Sequence, residues 1–140
     1  MSGFDLERFV TAQADVYAEA LAELEAGHKR SHWMWFVFPQ LAGLGTSPMA
    51  VLHAIASAGE AQAYLAHPLL GARLRESVAA MLLHKGVRPE AILGGIDALK
   101  FRSSLTLFEA VADDPALFAA ALDAFYEGER DGRTLELLER

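Results

Sequence analysis

Asp97, Lys100, Ser103, Ser104 and Thr106 interrupt a stretch that is otherwise apolar, and their spacing lets them cooperate. On a helix, Asp97, Lys100 and Ser104 fall at i, i+3 and i+7 and share a face, with Ser103 three positions beyond Lys100. A lysine in apolar surroundings needs a counter-charge, so either Asp97 neutralises Lys100 or a bound anion does. The hydroxyls of Ser103, Ser104 and Thr106 either reach a ligand or bond back to carbonyls one turn earlier. The second concentration of chemistry is Lys29-Arg30-Ser31-His32-Trp33-Met34-Trp35-Phe36-Val37-Phe38-Pro39-Gln40, which holds both tryptophans of the chain. A segment this apolar must plug the core or wall a pocket, and the polar atoms of His32, Trp33, Trp35 and Gln40 need partners once covered. As a pocket wall, Trp33 or Trp35 would stack a planar group or a cation while His32 or Gln40 fixed its orientation.

Other chemistries are closed or weakly supported. There is no cysteine, which excludes disulfides, thiolate metal sites and a cysteine nucleophile. His28 and His32 are four apart, but Gly27 and the aromatic run argue against a continuous helix there, so no metal site and no cofactor is expected. His67 before Pro68 reads as a structural ring bonding a backbone carbonyl at a helix junction. Arg102 and Glu109 read as a solvated face, and Asp131 with Thr134 as a helix cap. No phosphate-binding glycine loop or nucleophile elbow occurs; Gly43-Leu44-Gly45 and Gly94-Gly95 are bare loop pairs.

Four motifs carry a resemblance across nearly the whole chain. They are Leu6-Glu7-Arg8-Phe9-Val10 with Ala12-Gln13, the run from Lys29 to Gln40, Tyr64-Leu65 with His67-Pro68-Leu69-Leu70-Gly71 and Arg73-Leu74, and Lys100 with Arg102-Ser103-Ser104 and Thr106-Leu107-Phe108. In these the sequence resembles a family of small, mostly bacterial proteins of unknown function, sometimes labelled calpastatin-like. The resemblance implies a predominantly helical fold and no particular chemistry. A narrower similarity, confined to the order Lys100, Pro115, Phe118, Asp131-Gly132 and Leu135, is to helical domains proposed to act on ADP-ribose-linked N-glycosides, without their glutamate–histidine motif.

The elements that must position these residues are helices. Alanine and leucine are abundant while valine, isoleucine and threonine are few. Leu6, Phe9, Val10, Val16, Tyr17, Ala20, Leu21 and Leu24 recur at helical spacing, predicting one helix up to Gly27. Further helices are predicted over about 48–56, from a Ser57–Glu60 capping box to His67-Pro68, from Pro68 to about Leu83, briefly at 89–93, from about Asp97 to Ala112 with Leu99, Leu105, Leu107, Phe108 and Val111 buried, from Asp114-Pro115 to about Tyr126, and over 134–139. The expectation is therefore an all-α single compact domain over residues 1–140 of about six to eight helices, with one long aromatic loop.

With 140 residues, 53% hydrophobic and 22% charged, the chain is long enough for one real core and too apolar for disorder. Its net charge of −7 disfavours nucleic acid as a partner, and no apolar run is long enough for a membrane span, so a cytoplasmic location is expected. The acidity is uneven: residues 1–27 sum to −5 and 104–140 to −6, whereas 28–72 sum to +1 and 73–103 to +3. Lys29, Arg30, Arg73, Arg75, Lys85, Arg88, Lys100 and Arg102 make the middle basic, compatible with a local anion site.

Two functions are consistent with this pattern. In the first, the aromatic segment and the Asp97–Thr106 helix form a pocket for a small anionic nucleotide- or ADP-ribose-like metabolite. Trp33, Trp35, Gln40, Arg73, Arg102, Ser103 and Ser104 would bind it, and His32, Asp97 and Lys100 would act if there is turnover. In the second, the chain is a non-catalytic interaction module or homodimer whose acidic terminal helices dock a basic partner or a second copy.

Overall fold

The computed structural model describes residues 4–139, and its secondary structure is helical apart from an isolated β-bridge between Leu41 and Ile55. Ten helices lie among the described residues: α1 Glu7–Gln13, α2 Tyr17–Ala26, α3 Met34–Val37, α4 Pro48–Leu52, α5 Ala58–Ala66, α6 Leu70–Leu82, α7 Pro89–Leu93, α8 Gly95–Val111, α9 Ala116–Tyr126 and α10 Gly132–Leu138. The number exceeds the six to eight expected from the sequence because the first predicted helix is divided and the expected aromatic loop contains a helical turn. The first predicted helix breaks at residues 14–16, where Ala14 N–H bonds Thr11 O and Val16 N–H bonds Gln13 O, three-residue steps that tighten the chain and turn α2 onto α6. The aromatic segment supplies the added turn. It is not a long loop: Met34–Val37 closes one helical turn, and Trp33, Met34, Phe36, Val37 and Phe38 are all buried.

That segment is held from below by α1. Gln13, 1% exposed in an otherwise apolar setting, donates from Nε2 to Phe36 O at 2.6 Å and lies 3.1 Å from the Tyr64 hydroxyl. Burying a polar amide is tolerated because its groups are paired. Around it Phe9 meets Tyr64 edge to face at 5.1 Å, Tyr64 meets Phe108 at 5.4 Å and Phe38 meets Phe101 at 4.6 Å, so aromatic contacts join α1, the α3 region, α5 and α8.

Helix α8 is the axis. It packs against α5, α7, α9 and α10 and buries Ala98, Phe101 and the whole run Ser103–Phe108. Leu99, expected inside, is 60% exposed, since the first two turns of α8 present one side to solvent. Several predicted signals have their expected geometry. Gly27 ends α2 at φ 77°, Ser57 Oγ accepts from Glu60 N–H at 3.2 Å, and Asp131 Oδ2 accepts from Thr134 N–H at 3.2 Å to start α10. Glu60 reaches back one residue further than a capping box requires, to Ala56 N–H at 2.7 Å, because its carboxylate also pairs with Arg8 at 2.9 Å. His67 is structural, by a different bond from the one expected: Nδ1 accepts the amides of Leu69 and Leu70, each at 3.2 Å, and so caps α6 in place of a carbonyl contact.

Candidate functional site

The basic and aromatic residues meet where the segment 29–40 crosses the start of α8. Glu23, near the end of α2, organises the crossing. Its carboxylate, 8% exposed, accepts from Arg30 N–H at 2.7 Å, Ser31 N–H at 3.1 Å, Ser31 Oγ–H at 2.6 Å and Trp33 Nε1–H at 2.9 Å. Burial pushes the carboxyl up, but the hydrogen bonds from Ser31, Arg30 and Trp33 together outweigh it and hold Glu23 down at about 2. Glu23 carries no sequence signal; it sits among alternating acids on α2 and only the fold tells it from Glu19 and Glu25.

Trp33 is thereby a core residue with a satisfied indole. Lys29 lies 5.0 Å from its ring centroid, donates to Ser31 O at 2.6 Å and pairs with Asp97 Oδ2 at 3.0 Å. Asp97 also faces Lys100, at 3.8 Å. Two ammonium groups thus share one carboxylate, Lys29 holds the nearer position, and Lys100 keeps charge that Asp97 does not fully compensate. Lys100 Nζ stands 5.5 Å over the ring of Trp35, whose own Nε1–H is buried with no partner among the described residues.

Two adjoining depressions open beside Lys100. The outer one is a cleft of about 240 Å³ lined by Gln40, Leu44, Gly45, Ile96, Leu99, Lys100, Ser103 and Asp131. The inner one, of about 10 Å³, is reached past Gln40, Gly45 and Lys100 and is backed by Trp35, Phe38 and His53. Gly45 permits this closure, because a Cβ there would come within 2.6 Å of Ala50 Cβ. His53 went unnoticed in the sequence, one histidine in an alanine-rich stretch. It is 4% exposed, lies against Phe9 and Phe36, and is held below the ordinary histidine range by burial and by Arg8, against the contact with Met49 O.

The predicted site residues divide by position. Trp35, Gln40, Lys100 and Ser103 line the two depressions and Asp97 adjoins them through its ion pair with Lys100. Ser103 Oγ is within hydrogen-bond reach of Leu99 O at 3.2 Å and Asp131 Oδ2 at 2.9 Å, and Thr106 Oγ1 donates to Arg102 O at 2.8 Å. Ser104, one turn beyond Lys100 on α8, is 1% exposed and lines neither depression. Arg73 lies on α6 over the Tyr17 ring, 3.3 Å from Gln13 Oε1. Arg102 pairs with Glu129 at 3.7 Å, and Glu109 with Arg130, so this expected solvated face is a pair of ion pairs. His32 is exposed and outside both linings.

A larger open groove of about 630 Å³ lies between α5, α6 and the α8–α9 turn. It is the less promising site, since it sets the lone arginine Arg75 against Asp113 and Asp114 and has no aromatic wall. No group of three or more histidine and carboxylate side chains with metal-binding geometry occurs among the described residues, and no helix there is long and apolar enough to cross a membrane.

The family model described as "Protein of unknown function (DUF1810)" matches residues 3–138. The chain belongs to the DUF1810 family. A crystal structure described as that of the conserved hypothetical protein Rv1873 from Mycobacterium tuberculosis is similar at 52% identity, with 98% of each chain covered and a TM-score of 0.96. No curated protein matches. Membership of DUF1810 agrees with the resemblance read from the four motifs at the level of a family of unknown function.

Proposed function

We propose that this chain binds a small anionic metabolite in the cleft between the aromatic segment and α8, with Lys100 as the anion contact, in the cytoplasm. The observation that carries the reading is the sharing of Asp97: with Lys29 at 3.0 Å and Lys100 at 3.8 Å, one carboxylate serves two lysines, and the farther one fronts the cleft. A phosphate or carboxylate beside Lys100 supplies the missing charge. Gln40 and the Trp35 face complete the contact surface. The cleft encloses little more than the anionic end of a ligand; a nucleotide- or ADP-ribose-like molecule would leave most of its surface outside. In this reading Asp97 positions the lysines, while His32, Trp33, Arg73, Arg102 and Ser104 hold the fold or the surface. A calpastatin-like role gains no support from a packed aromatic core, which leaves no extended polar segment among the described residues to wrap a protease.

Thermal-shift titration with inorganic phosphate, acetate and sugar phosphates tests it. A ligand at 100 times its dissociation constant stabilises by about 2.7 kcal/mol, and the shift is expected to vanish in Lys100→Ala and persist in Lys100→Arg. No shift with any anion sinks the proposal.

A second reading, self-association, is favoured by Ile96 and Leu99, 73% and 60% exposed at the cleft rim. A copy docking there would cover the same surface, so the two readings compete.

A further inference from the structure

The inner depression holds two hydrogen-bonding groups of opposite kind. His53 Nδ1 is 3.0 Å from Met49 O, and because a carbonyl only accepts, Nδ1 carries the proton. In the neutral ring Nε2 is then a bare acceptor. Trp35 Nε1–H, lining the same depression, is a buried donor with no protein partner. A hydroxyl, of an alcohol as of a water molecule, satisfies both at once, donating to His53 Nε2 and accepting from Trp35 Nε1, and about 10 Å³ is room for one such group. Lys100 belongs to the linings of both depressions, so an anion in the outer cleft and a hydroxyl in the inner one can sit on one small molecule.

We infer that the inner depression is a hydroxyl-reading subsite, and that the ligand of the cleft is a hydroxylated anion, its hydroxyl bridging His53 and Trp35 and its charge on Lys100. This rests on the anion reading above and narrows it, through chemistry common to 2-hydroxy carboxylates and sugar phosphates. Burial keeps His53 in the acceptor form by disfavouring its protonation.

Paired probes separate the subsite from the anion contact: glycolate against acetate, and glycerol phosphate against propyl phosphate, titrated calorimetrically. The hydroxylated member of each pair is expected to bind about tenfold more tightly, since a probe without the hydroxyl leaves the buried Trp35 donor unmet. That preference is expected to collapse in Trp35→Phe and His53→Phe, whereas Lys100→Ala weakens all four probes alike. In the unmodified protein the Nε2 nitrogen resonance of His53 is expected to move with glycolate and stay put with acetate, a readout that survives if His53→Phe does not fold. Equal affinities within each pair and an unmoved resonance overturn the subsite while leaving the anion contact standing. Absence of binding by all four overturns both. Within that framework glycerol phosphate alone showing the preference identifies a sugar-phosphate-like ligand, and glycolate alone a hydroxy acid.

Discussion

Glu23, Asp97 and the two tryptophans show how little residue type alone says about role. Glu23 lies in a helix of surface acids, yet it is the carboxylate on which the 29–33 segment hangs. Its depressed pKa makes a signed prediction: the stabilisation is present above the unfolded value near 4.5 and is lost as pH falls through about 2. Glu23→Gln is expected to cost about 2–3 kcal/mol at neutral pH in urea unfolding, with the gap from the parent narrowing between pH 5 and 2. Asp97 predicts in the other direction, because its carboxylate competes with ligand for Lys100. Asp97→Asn is expected to lower stability by about 1 kcal/mol and to tighten phosphate binding, measured in the same titration; weaker binding would mean that Asp97 helps hold the anion. The tryptophans separate by sign. Trp33→Phe strips a donor from Glu23 and is expected to cost at least about 2 kcal/mol, whereas Trp35→Phe removes a donor that has no partner and is expected to be near neutral.

At the scale of elements, the junctions carry the specificity of the fold. The α5–α6 corner depends on Gly71, where a Cβ would fall 2.1 Å from Leu65 O, and on His67 capping the first amides of α6. Gly71→Ala is expected to prevent folding or to cost more than about 3 kcal/mol, and His67→Ala about 1 kcal/mol, both read by chemical denaturation. His67-Pro68 marked this corner in the sequence, as Asp131 and Thr134 marked α10, because caps and stops act between residues close in the chain. The division of α1 from α2 was not legible, since Phe9, Gln13, Tyr17, Ala20 and Leu24 keep helical spacing across the break. The turn of Met34–Val37 was also hidden: four apolar residues have no periodicity to read, and what holds them is burial together with the bonds from Gln13 and Tyr64 to Phe36 O.

For the whole molecule, the charge division and the site are two views of one arrangement. The acidic ends contribute α2 and α10, and the basic middle contributes Lys29 and Lys100, which meet only after the chain has folded α8 back beside residues 29–40. If self-association uses this face, Ile96→Lys with Leu99→Lys is expected to leave a monomer in sedimentation velocity; an unchanged distribution removes the second reading. The all-helical class, the single compact domain, the caps and the placement of Asp97 and Lys100 on one helix face follow from the sequence by itself, because propensity, apolar spacing and i, i+3 contacts are local. Only the tertiary structure decided that Trp33 is core, that Lys29 competes for Asp97, and that Trp35 and His53 line one inner depression. Those are contacts between segments distant in the chain, and their partners are chosen by packing, which no spacing within one element encodes.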